Sequence, residues 1–318
     1  MDLTLDQLMD RHMLAITRHG LQCANKTLQA RITPKRTEFF ASYRPHQNWS
    51  LPDSIIFYMA KNPPSAKAYQ NLVQSCKYFF VKNPILVIDE LFVKQKKEVR
   101  FNNALWLDDL SHVSSKIWIT KKLENSVYPK YPTTLKLMSS IIPQLYQVDA
   151  QTLFLRNQII SFDEFLSLSS KVQHIVLNIA IVQDKEGSIV PLEKLVQFLP
   201  DAKVIELYDN PAASCVTSNT VRGFLELSHF SKIDNFEMRC LSDNFDIETF
   251  FTYLKTNTHT KFYLYFDKSI SEVFKNRLES IIDEVIEAET LGYKPFIIDY
   301  IGIDDEKWSK LGALYRQK

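Results

Sequence analysis

Six short runs rich in β-branched and aromatic residues recur in the second half of the chain, and segments with helix signals separate them. The runs are TLFLR at 152–156, HIVLNI at 174–179, KVIELYD at 203–209, NFEMR at 235–239, KFYLYF at 261–266 and PFIIDYI at 295–301, and KIWIT at 116–120 is a candidate earlier member. Because a helix between two strands returns the chain to the same end of a sheet, this alternation predicts parallel strands.

The spacing of these runs indicates which kind of α/β fold they form. Measured between their central residues, successive runs lie between 22 and 34 residues apart, which is the length scale of one unit in a leucine-rich repeat. Such units stack into a solenoid in which each one packs on its neighbours. The predicted fold class is α/β, with an irregular leucine-rich-repeat-like strand-helix solenoid and a parallel sheet at 93–318. An ordinary α/β domain with a parallel sheet is the alternative.

Helix signals between the runs have specific positions. Ser161 with Glu164, and Ser269 with Glu272, have the spacing of capping boxes. Pro191 is suited to the start of a helix. A stripe at helical spacing predicts the buried side of a later helix, and its members are Phe274, Leu278, Ile281, Ile282 and Val285.

Alternation within the strand runs assigns side chains to two faces of the sheet. One face is apolar and is predicted to be the core: Leu153, Leu155, Ile175, Leu177, Ile205, Leu207, Phe236, Met238, Phe262 and Leu264. The other face mixes aromatic residues and arginines with acids, as protein-binding surfaces do, and Tyr263 and Tyr265 are its best anchors. Its predicted client-binding residues are Phe154, Arg156, Asn178, Glu206, Tyr208, Glu237, Arg239, Tyr263 and Tyr265, and Val176 is predicted to project from the same face. The alternative is that these side chains only make cross-strand pairs.

Motifs for catalysis and nucleotide binding are missing from the sequence. The chain has six glycines, and no two of them are closer than ten residues. Phosphate-binding loops need clustered glycines, so nucleotide binding by such loops is excluded. No HExxH or GxSxG motif occurs. We therefore predict a chain that is not an enzyme, with no catalytic residue, no cofactor and no metal. An enzyme is a third alternative, which requires a pocket that gathers His174 or His229 with two carboxylates.

Charge and cysteine usage limit the partners and the compartment. The 38 basic and 37 acidic residues leave a formal charge of +1, so nucleic acid and anionic membranes are not expected as partners. The acidic start and the lack of a long apolar run predict neither a signal peptide nor a membrane span. No CxxC pair occurs, so neither a zinc site nor a disulfide framework is expected, and the predicted location is cytoplasmic or nuclear. The four cysteines are Cys23, Cys76, Cys215 and Cys240.

Residues 1–49 form a polar segment with several basic residues and two turn signals. We interpret it as an added N-terminal arm that is partly flexible. Leu5, Leu8, Met9 and Met13 have the spacing of an amphipathic helix over residues 3–16. A solvated linker is favoured over a basic docking arm.

The stretch LPDSIIFYMAKNPPSAKAYQNLVQSCKYFF at 51–80 predicts two short helices that share an apolar seam. The proline pair at 63–64 separates the helices, and Ser65 is placed to cap the second one. The first apolar face comprises Ile55, Ile56 and Met59, and the second comprises Tyr69, Leu72, Val73, Cys76 and Phe80. A unit of about 45 residues buries too little surface to be stable alone. The rest of the chain or a partner is therefore expected to complete the seam.

The same stretch resembles an F-box. The matching residues are the Leu51-Pro52 start, the aliphatic pair Ile55-Ile56, the Asn62-Pro63 break and Cys76-Lys77 followed by Phe79-Phe80. The resemblance implies an F-box-like helical module at 50–92 that binds the Skp-type adaptor of a cullin-RING ubiquitin ligase. The implied adaptor-binding residues are Leu51, Pro52, Ile55, Ile56, Met59, Tyr69, Leu72, Cys76, Phe79 and Phe80.

A wider resemblance covers most of residues 50–315. The segments SCKYFFVKNPILVIDEL, Trp118-Ile119-Thr120 and NQIISFDEF at 157–165 are similar to a nematode-expanded family of F-box-like proteins with a repeat-bearing C-terminal region. The resemblance implies a substrate-recognition subunit, in which the helical module binds the adaptor and the open sheet face binds an unknown protein client. The alternative is a repeat-type protein-binding scaffold in which the F-box-like helices are only a structural cap.

Overall fold

The structure, a computed structural model, describes residues 48–94, 99–101, 105–107, 113–126, 135–288 and 290–316. The amphipathic helix predicted at 3–16, Cys23 and nearly all of the predicted arm at 1–49 lie outside the described residues. These expectations therefore stay predictions.

Three short helices begin the described chain. Helix α1 spans Asp53–Lys61, α2 spans Ala66–Ser75 and α3 spans Lys77–Lys82. Helix α1 ends just before the proline pair at 63–64, as predicted, since proline lacks the N–H that would continue a helix. Ser65 caps α2, also as predicted, because its hydroxyl oxygen accepts a hydrogen bond from the Ala68 backbone N–H at 3.2 Å.

The prediction of one continuous stripe from Tyr69 to Phe80 is wrong, because Cys76 interrupts the helix. The Cys76 backbone is extended, with φ −155° and ψ 131°, so α2 and α3 are separate helices. The break changes the direction of the residues that follow it. As a result Phe79, and not Phe80, is the buried aromatic residue of α3.

Strands of the described chain form two sheets. The large sheet contains β1 (Ile85–Lys94), β2 (Val99–Phe101), β3 (Leu105–Leu107), β4 (Lys116–Ser126), β5 (Leu145–Val148), β6 (Thr152–Arg156), β8 (His174–Asn178), β10 (Val204–Tyr208), β11 (Asn235–Leu241), β12 (Lys261–Phe266) and β13 (Ile297–Asp299). The small sheet is a parallel pair of β7 (Ile159–Ser161) and β9 (Ile181–Gln183). Every run that the sequence predicts as a strand therefore contains one.

The strand order of the large sheet is β13-β12-β11-β10-β8-β6-β4-β1-β2-β3, and β5 pairs with β4 beside this path. All pairs from β1–β4 to β12–β13 are parallel, which confirms the predicted parallel pairing. The pairs β1–β2 and β2–β3 are antiparallel. The sequence pattern does not predict the short strands β2, β3, β5, β7 and β9, because three or four residues carry little periodicity. It also does not predict β1, which has ten residues and begins inside the predicted helical module at 50–92.

Seven further helices accompany the strands of the described chain. They are α4 (Leu137–Ile141), α5 (Phe162–Ser169), α6 (Leu192–Gln197), α7 (Thr220–Glu226), α8 (Ile247–Leu254), α9 (Glu272–Glu287) and α10 (Asp305–Arg316). Short 3-10 helices occupy Ile142–Gln144 and Phe230–Lys232. Ser161 and Glu164 form the predicted capping box at the start of α5, and Pro191 directly precedes α6 as predicted.

The capping box predicted at Ser269 is wrong, because α9 begins two residues later. The Ser271 hydroxyl caps this helix by accepting from the Phe274 N–H at 3.3 Å. The Ser269 N–H instead donates to the Asp267 carboxylate at 2.9 Å, which holds it in the turn before the helix. Two serines near one helix start leave the cap ambiguous in the sequence.

The main hydrophobic core lies between helices α4–α10 and one face of the large sheet, while α1–α3 belong to two smaller clusters. All ten residues predicted to face the core are at most 2% exposed. The predicted stripe of α9 is also confirmed, since Leu278, Ile281, Ile282 and Val285 are buried and Phe274 packs against the core. Burial of aromatic area contributes much of the stability here, because five rings are clustered: Phe224, Phe230, Phe236, Phe250 and Phe262.

The fold is thus mixed α/β with a mostly parallel central sheet and helices packed on it. The domain boundary predicted at residue 92 falls within β1, which begins at Ile85 and pairs with β4. Only two residues separate α3 from β1. The helical part therefore connects to the sheet without a linker.

Candidate protein-interaction surfaces

Helix α1 and the two residues before it expose four large apolar side chains. Leu51 is 48% exposed, Ile55 47%, Phe57 47% and Tyr58 65%. We call these four residues the α1 surface. Contact with water is unfavourable for apolar groups, and clustered exposed groups of this kind are typical of interaction sites.

Beneath the α1 surface, the three helices have a small core of their own. Its buried members are Ile56, Ala60 and Phe79. The Phe79 ring centre lies 5.9 Å from that of Trp49 and 5.7 Å from that of Tyr78. Ile56 and Ala60 are four residues apart on α1, so they form the inner side of the helix and turn Ile55 and Tyr58 outward.

The predicted adaptor-binding residues therefore separate into three groups. Leu51, Pro52 and Ile55 are exposed. Met59, Leu72, Cys76 and Phe80 are half-buried, and Ile56, Tyr69 and Phe79 are buried. The buried three do not present side chains to a partner, which corrects the sequence assignment. Phe57 and Tyr58 are exposed but are not among the predicted adaptor-binding residues, although the four-residue spacing of Ile56 and Ala60 predicts that they face outward.

Tyr69 is buried against the sheet, and its predicted place on an adaptor surface is wrong. Its ring packs with Ile85 of β1 and Trp118 of β4. Its hydroxyl donates to the Asn83 carbonyl at 2.5 Å and accepts from the Ile85 N–H at 3.0 Å. Burial raises the pKa of the Tyr69 hydroxyl. This residue joins α2 to the sheet.

The second candidate surface is the sheet face opposite the main hydrophobic core, on which α2 also packs through Tyr69 and Trp118. Parallel register aligns its side chains in rows that cross the strands. We call Arg156, Asn178, Tyr208 and Arg239 the arginine row. The next row along the strands, the glutamate row, contains Glu124, Phe154, Val176, Glu206, Glu237 and Tyr263.

Arg239 lies between two tyrosine rings. Its guanidinium carbon is 5.2 Å from the ring centre of Tyr208 and 4.9 Å from that of Tyr263. Its Nε donates to the Glu237 carboxylate in the neighbouring row. The Tyr263 hydroxyl donates to Asp299 of β13 at 2.8 Å, and burial followed by this bond raises its pKa. Stacking and hydrogen bonding together fix the orientation of the guanidinium group.

Phe154 is the centre of a second cluster on the same face. Lys122 Nζ lies 4.7 Å from its ring centre and the Arg156 guanidinium carbon lies 5.6 Å from it. The His174 ring packs against Phe154 edge-on at 5.4 Å, and its Nε2 lies 3.0 Å from Glu206. Glu124 accepts from Lys122 at 2.7 Å. Charged groups on this face are therefore largely paired, either within one strand or between neighbouring strands.

The structure brings the predicted client-binding residues onto this single face, and all nine are partly exposed. Val176 departs from the prediction: it is only 3% exposed, since it lies between Phe154 and Glu206 in the glutamate row. Tyr265 lies opposite Asp299 of the edge strand. Lys122 and Glu124 lie on the same face but fall outside the predicted strand, because the predicted run stops at residue 120 while β4 continues to Ser126.

Neither histidine named for an enzyme is placed among two carboxylates. His174 is beside Glu206, and the Nε2 of His229 lies 2.9 Å from the Val196 carbonyl oxygen. Within the described residues, no three His, Cys, Asp or Glu side chains are grouped as metal ligands.

The buried carboxylate of Asp209 has a structural role, because it accepts hydrogen bonds from the loop that follows β10. Asp209 follows β10 and accepts hydrogen bonds from the Ser214 hydroxyl and from the Cys215 N–H. Burial raises the pKa of Asp209, and burial also raises the pKa of the Cys215 thiol well above its usual range. Together with a bond from the Cys215 thiol at 3.6 Å, these hydrogen bonds to one carboxylate hold the loop that leads from β10 to α7.

Compared with models of protein families, with curated proteins and with solved structures, the chain gives no match. Among the helices of the described residues, none has both the length and the apolar character that a membrane crossing requires.

Proposed function

We propose that this chain is an F-box-like substrate-recognition subunit of a cullin-RING ubiquitin ligase. The observation that carries the proposal is the α1 surface, which is exposed on a helical unit in the stretch that resembles an F-box. The α1 surface contacts the Skp-type adaptor, and the half-buried Met59 borders it. The interior residues Ile56 and Phe79 support the surface without contacting the adaptor.

The C-terminal region holds the client. We assign it to an irregular leucine-rich-repeat-like solenoid, supported by the parallel strands β4, β6, β8, β10, β11, β12 and β13, which are adjacent in chain order. Its open face contains ordered aromatic and arginine side chains, which are enriched in protein interfaces. Ubiquitin transfer takes place on other subunits, and this chain raises the local concentration of the client. No residue of the chain is assigned a catalytic role.

A second candidate function is a protein-binding scaffold in which the helices only cap the sheet. The burial of Tyr69 against Ile85 and Trp118 favours this alternative, because part of the helical seam is completed by the chain itself. The two candidates differ at the α1 surface. An adaptor subunit needs it for binding, whereas a cap leaves it in water.

A pull-down with purified Skp-type adaptor distinguishes the two functions. The test variant combines Ile55→Asp and Tyr58→Asp, both exposed, so the helical core stays intact. The matched control is Val273→Asp, which replaces an apolar residue that is 81% exposed on α9. We expect the adaptor to bind the intact chain and the control variant but not the double variant. The two new carboxylates would be buried in the interface without a partner, which is costly.

Circular dichroism first establishes that all three proteins are folded. Equal adaptor binding by the double variant and the control contradicts the assigned surface. If the intact chain binds no Skp-type adaptor, the scaffold function is favoured and the α1 surface has another role.

A further inference from the structure

The arginine row carries polar groups that make no hydrogen bond within the described part of the chain. The Arg156 Nε is buried without a hydrogen-bond partner, and the Arg156 Nη2 lies 3.9 Å from the Glu124 carboxylate. The Asn178 amide and the Tyr208 hydroxyl have no partner there, and Arg239 uses only its Nε. An arginine has five N–H donors, and because the Arg156 Nε is buried, the donors that a ligand can reach are the terminal N–H groups of Arg156 and Arg239. Other polar groups on the face, such as those of His174 and Tyr263, are already bonded.

The four side chains form a continuous line across adjacent strands. Parallel register places Arg156 beside Asn178, Asn178 beside Tyr208 and Tyr208 beside Arg239. Three strand steps of about 4.8 Å separate the two arginines, which gives a span of about 14 Å. Burial raises the pKa of Tyr208, so its hydroxyl keeps its proton and can donate.

Both arginines are held in place before any ligand arrives. Arg239 lies between the rings of Tyr208 and Tyr263, and Arg156 lies over the ring of Phe154. A stacked guanidinium group loses less side-chain entropy when it binds a carboxylate. Such a group also matches the two oxygens of a carboxylate with parallel N–H donors.

The adjacent glutamate row selects among anionic ligands. Glu124, Glu206 and Glu237 are one side-chain step from the arginine row along the strands. These three charges repel a densely charged chain such as a nucleic acid, but they leave room for separate carboxylates placed on the arginines. An extended peptide advances by about 3.4 Å per residue, so four residues cover about 14 Å. Residues four apart also project to the same side of an extended peptide.

We propose that the arginine row binds an extended segment of the client that carries two acidic side chains four residues apart. One carboxylate is bound by Arg156 and the other by Arg239, while a side chain midway between them reaches Asn178 and Tyr208. The peptide crosses the strands along the row. This inference rests on the proposed function in that it names the chemistry of the client.

Fluorescence anisotropy with the purified full chain tests the inference. The probe is a labelled synthetic peptide of alternating valine and serine with two glutamates four positions apart. Matched peptides carry the glutamates at adjacent positions, or glutamine at both positions. We expect the first peptide to bind at least about tenfold more tightly than either matched peptide, since each charge-assisted bond contributes substantially.

Variants of the chain test which residues are responsible. Arg156→Ala and Arg239→Ala should each weaken binding of the first peptide about tenfold or more, and Arg239→Lys should also weaken it by losing the paired donors. The control is Lys255→Ala, because Lys255 pairs with Glu284 on the helical side of the sheet. It should leave the affinity unchanged.

Three results would overturn the inference: equal affinity for all three peptides, no binding at about 1 mM protein, or an unchanged affinity in both alanine variants. Tighter binding of single-stranded RNA than of the peptide would also overturn it and indicate a polyanion ligand. The assay contains no adaptor, so its outcome is separate from the pull-down. Failure of adaptor binding with success here leaves a peptide-binding scaffold.

Discussion

The Tyr69 hydroxyl accepts a hydrogen bond from the backbone N–H of Ile85 at 3.0 Å and so joins α2 to the first residue of the sheet. The same hydroxyl donates to the Asn83 carbonyl, and the Asn83 amide donates to the Ala60 carbonyl at 2.9 Å. One chain of hydrogen bonds thus connects α1, α2 and β1. The helices and the start of the sheet are expected to unfold together for this reason.

Tyr69→Phe should lower the free energy of unfolding by about 1–3 kcal/mol, because the buried N–H of Ile85 loses its acceptor. Urea denaturation followed by circular dichroism measures the change. The matched control, Tyr58→Phe, removes a hydroxyl from a side chain that is 65% exposed and should change stability little. Equal stability of the two variants would show that water replaces the Tyr69 hydroxyl.

Gly223 in α7 lies against Glu193 of α6. A Cβ atom at this position would lie 2.6 Å from the Glu193 Cγ and 2.7 Å from its Cβ, well inside van der Waals contact. We expect Gly223→Ala to destabilise the fold by about 1–3 kcal/mol through overpacking, although alanine favours a helix. Gly292→Ala is the control, since nothing lies within 4 Å of its added Cβ. Thermal denaturation measures both, and a stable Gly223→Ala variant would mean that α6 moves aside.

Asn157 and Ile179 occupy equivalent positions, directly after Arg156 and Asn178 of the arginine row, and both have left-handed backbones, with φ 48° and 51°. Asparagine tolerates this region, whereas a β-branched residue is strained there. Ile179 is 39% exposed, so it loses little burial on substitution.

Ile179→Asn should therefore stabilise the protein by about 1 kcal/mol, and Asn157→Ile should destabilise it by at least as much. Denaturant titration of the two variants gives the comparison. A loss of stability in both variants would contradict this expectation. It would indicate that the side-chain contacts of Ile179 stabilise the fold by more than the strain of its left-handed backbone destabilises it.

The strands and the core could be predicted from the sequence because both depend on local alternation. Thr152–Arg156 and Lys261–Phe266 match the predicted runs at both ends, and the alternating apolar residues within them are buried. The Ser161 and Glu164 pair was predictable for the same reason, since a capping box needs only residues three apart.

Features that depend on a backbone break or on a neighbouring strand could not be predicted. The extended conformation of Cys76 leaves no composition signal, yet it decides that Phe79 is buried. Tyr69 has the spacing of the helical seam, but its partner Trp118 is 49 residues away in the sequence. Val176 follows the outward alternation, but neighbouring strands cover it.

Asp209 should make stability depend on pH with an unusual sign. Its folded-state pKa is raised by burial above the unfolded value of about 3.9, so the folded protein binds the proton more tightly. The protonated, neutral Asp209 side chain contributes fully to the stability of the folded protein below the unfolded-state pKa. This contribution is lost as the pH rises through the folded-state pKa. Carboxylates with lowered pKa values, such as Asp267 and Glu248, have the opposite effect, so a difference measurement is needed.

Urea denaturation of the intact chain and of Asp209→Asn, between about pH 4 and pH 7, isolates this contribution. Relative to the intact chain, we expect the asparagine variant to gain stability as the pH rises, because asparagine stays neutral and still accepts from the Cys215 N–H. Asp209→Ala removes the acceptor for Cys215 and Ser214 and should cost about 1–3 kcal/mol throughout. A stability difference between Asp209→Asn and the intact chain that stays constant with pH would contradict the raised pKa.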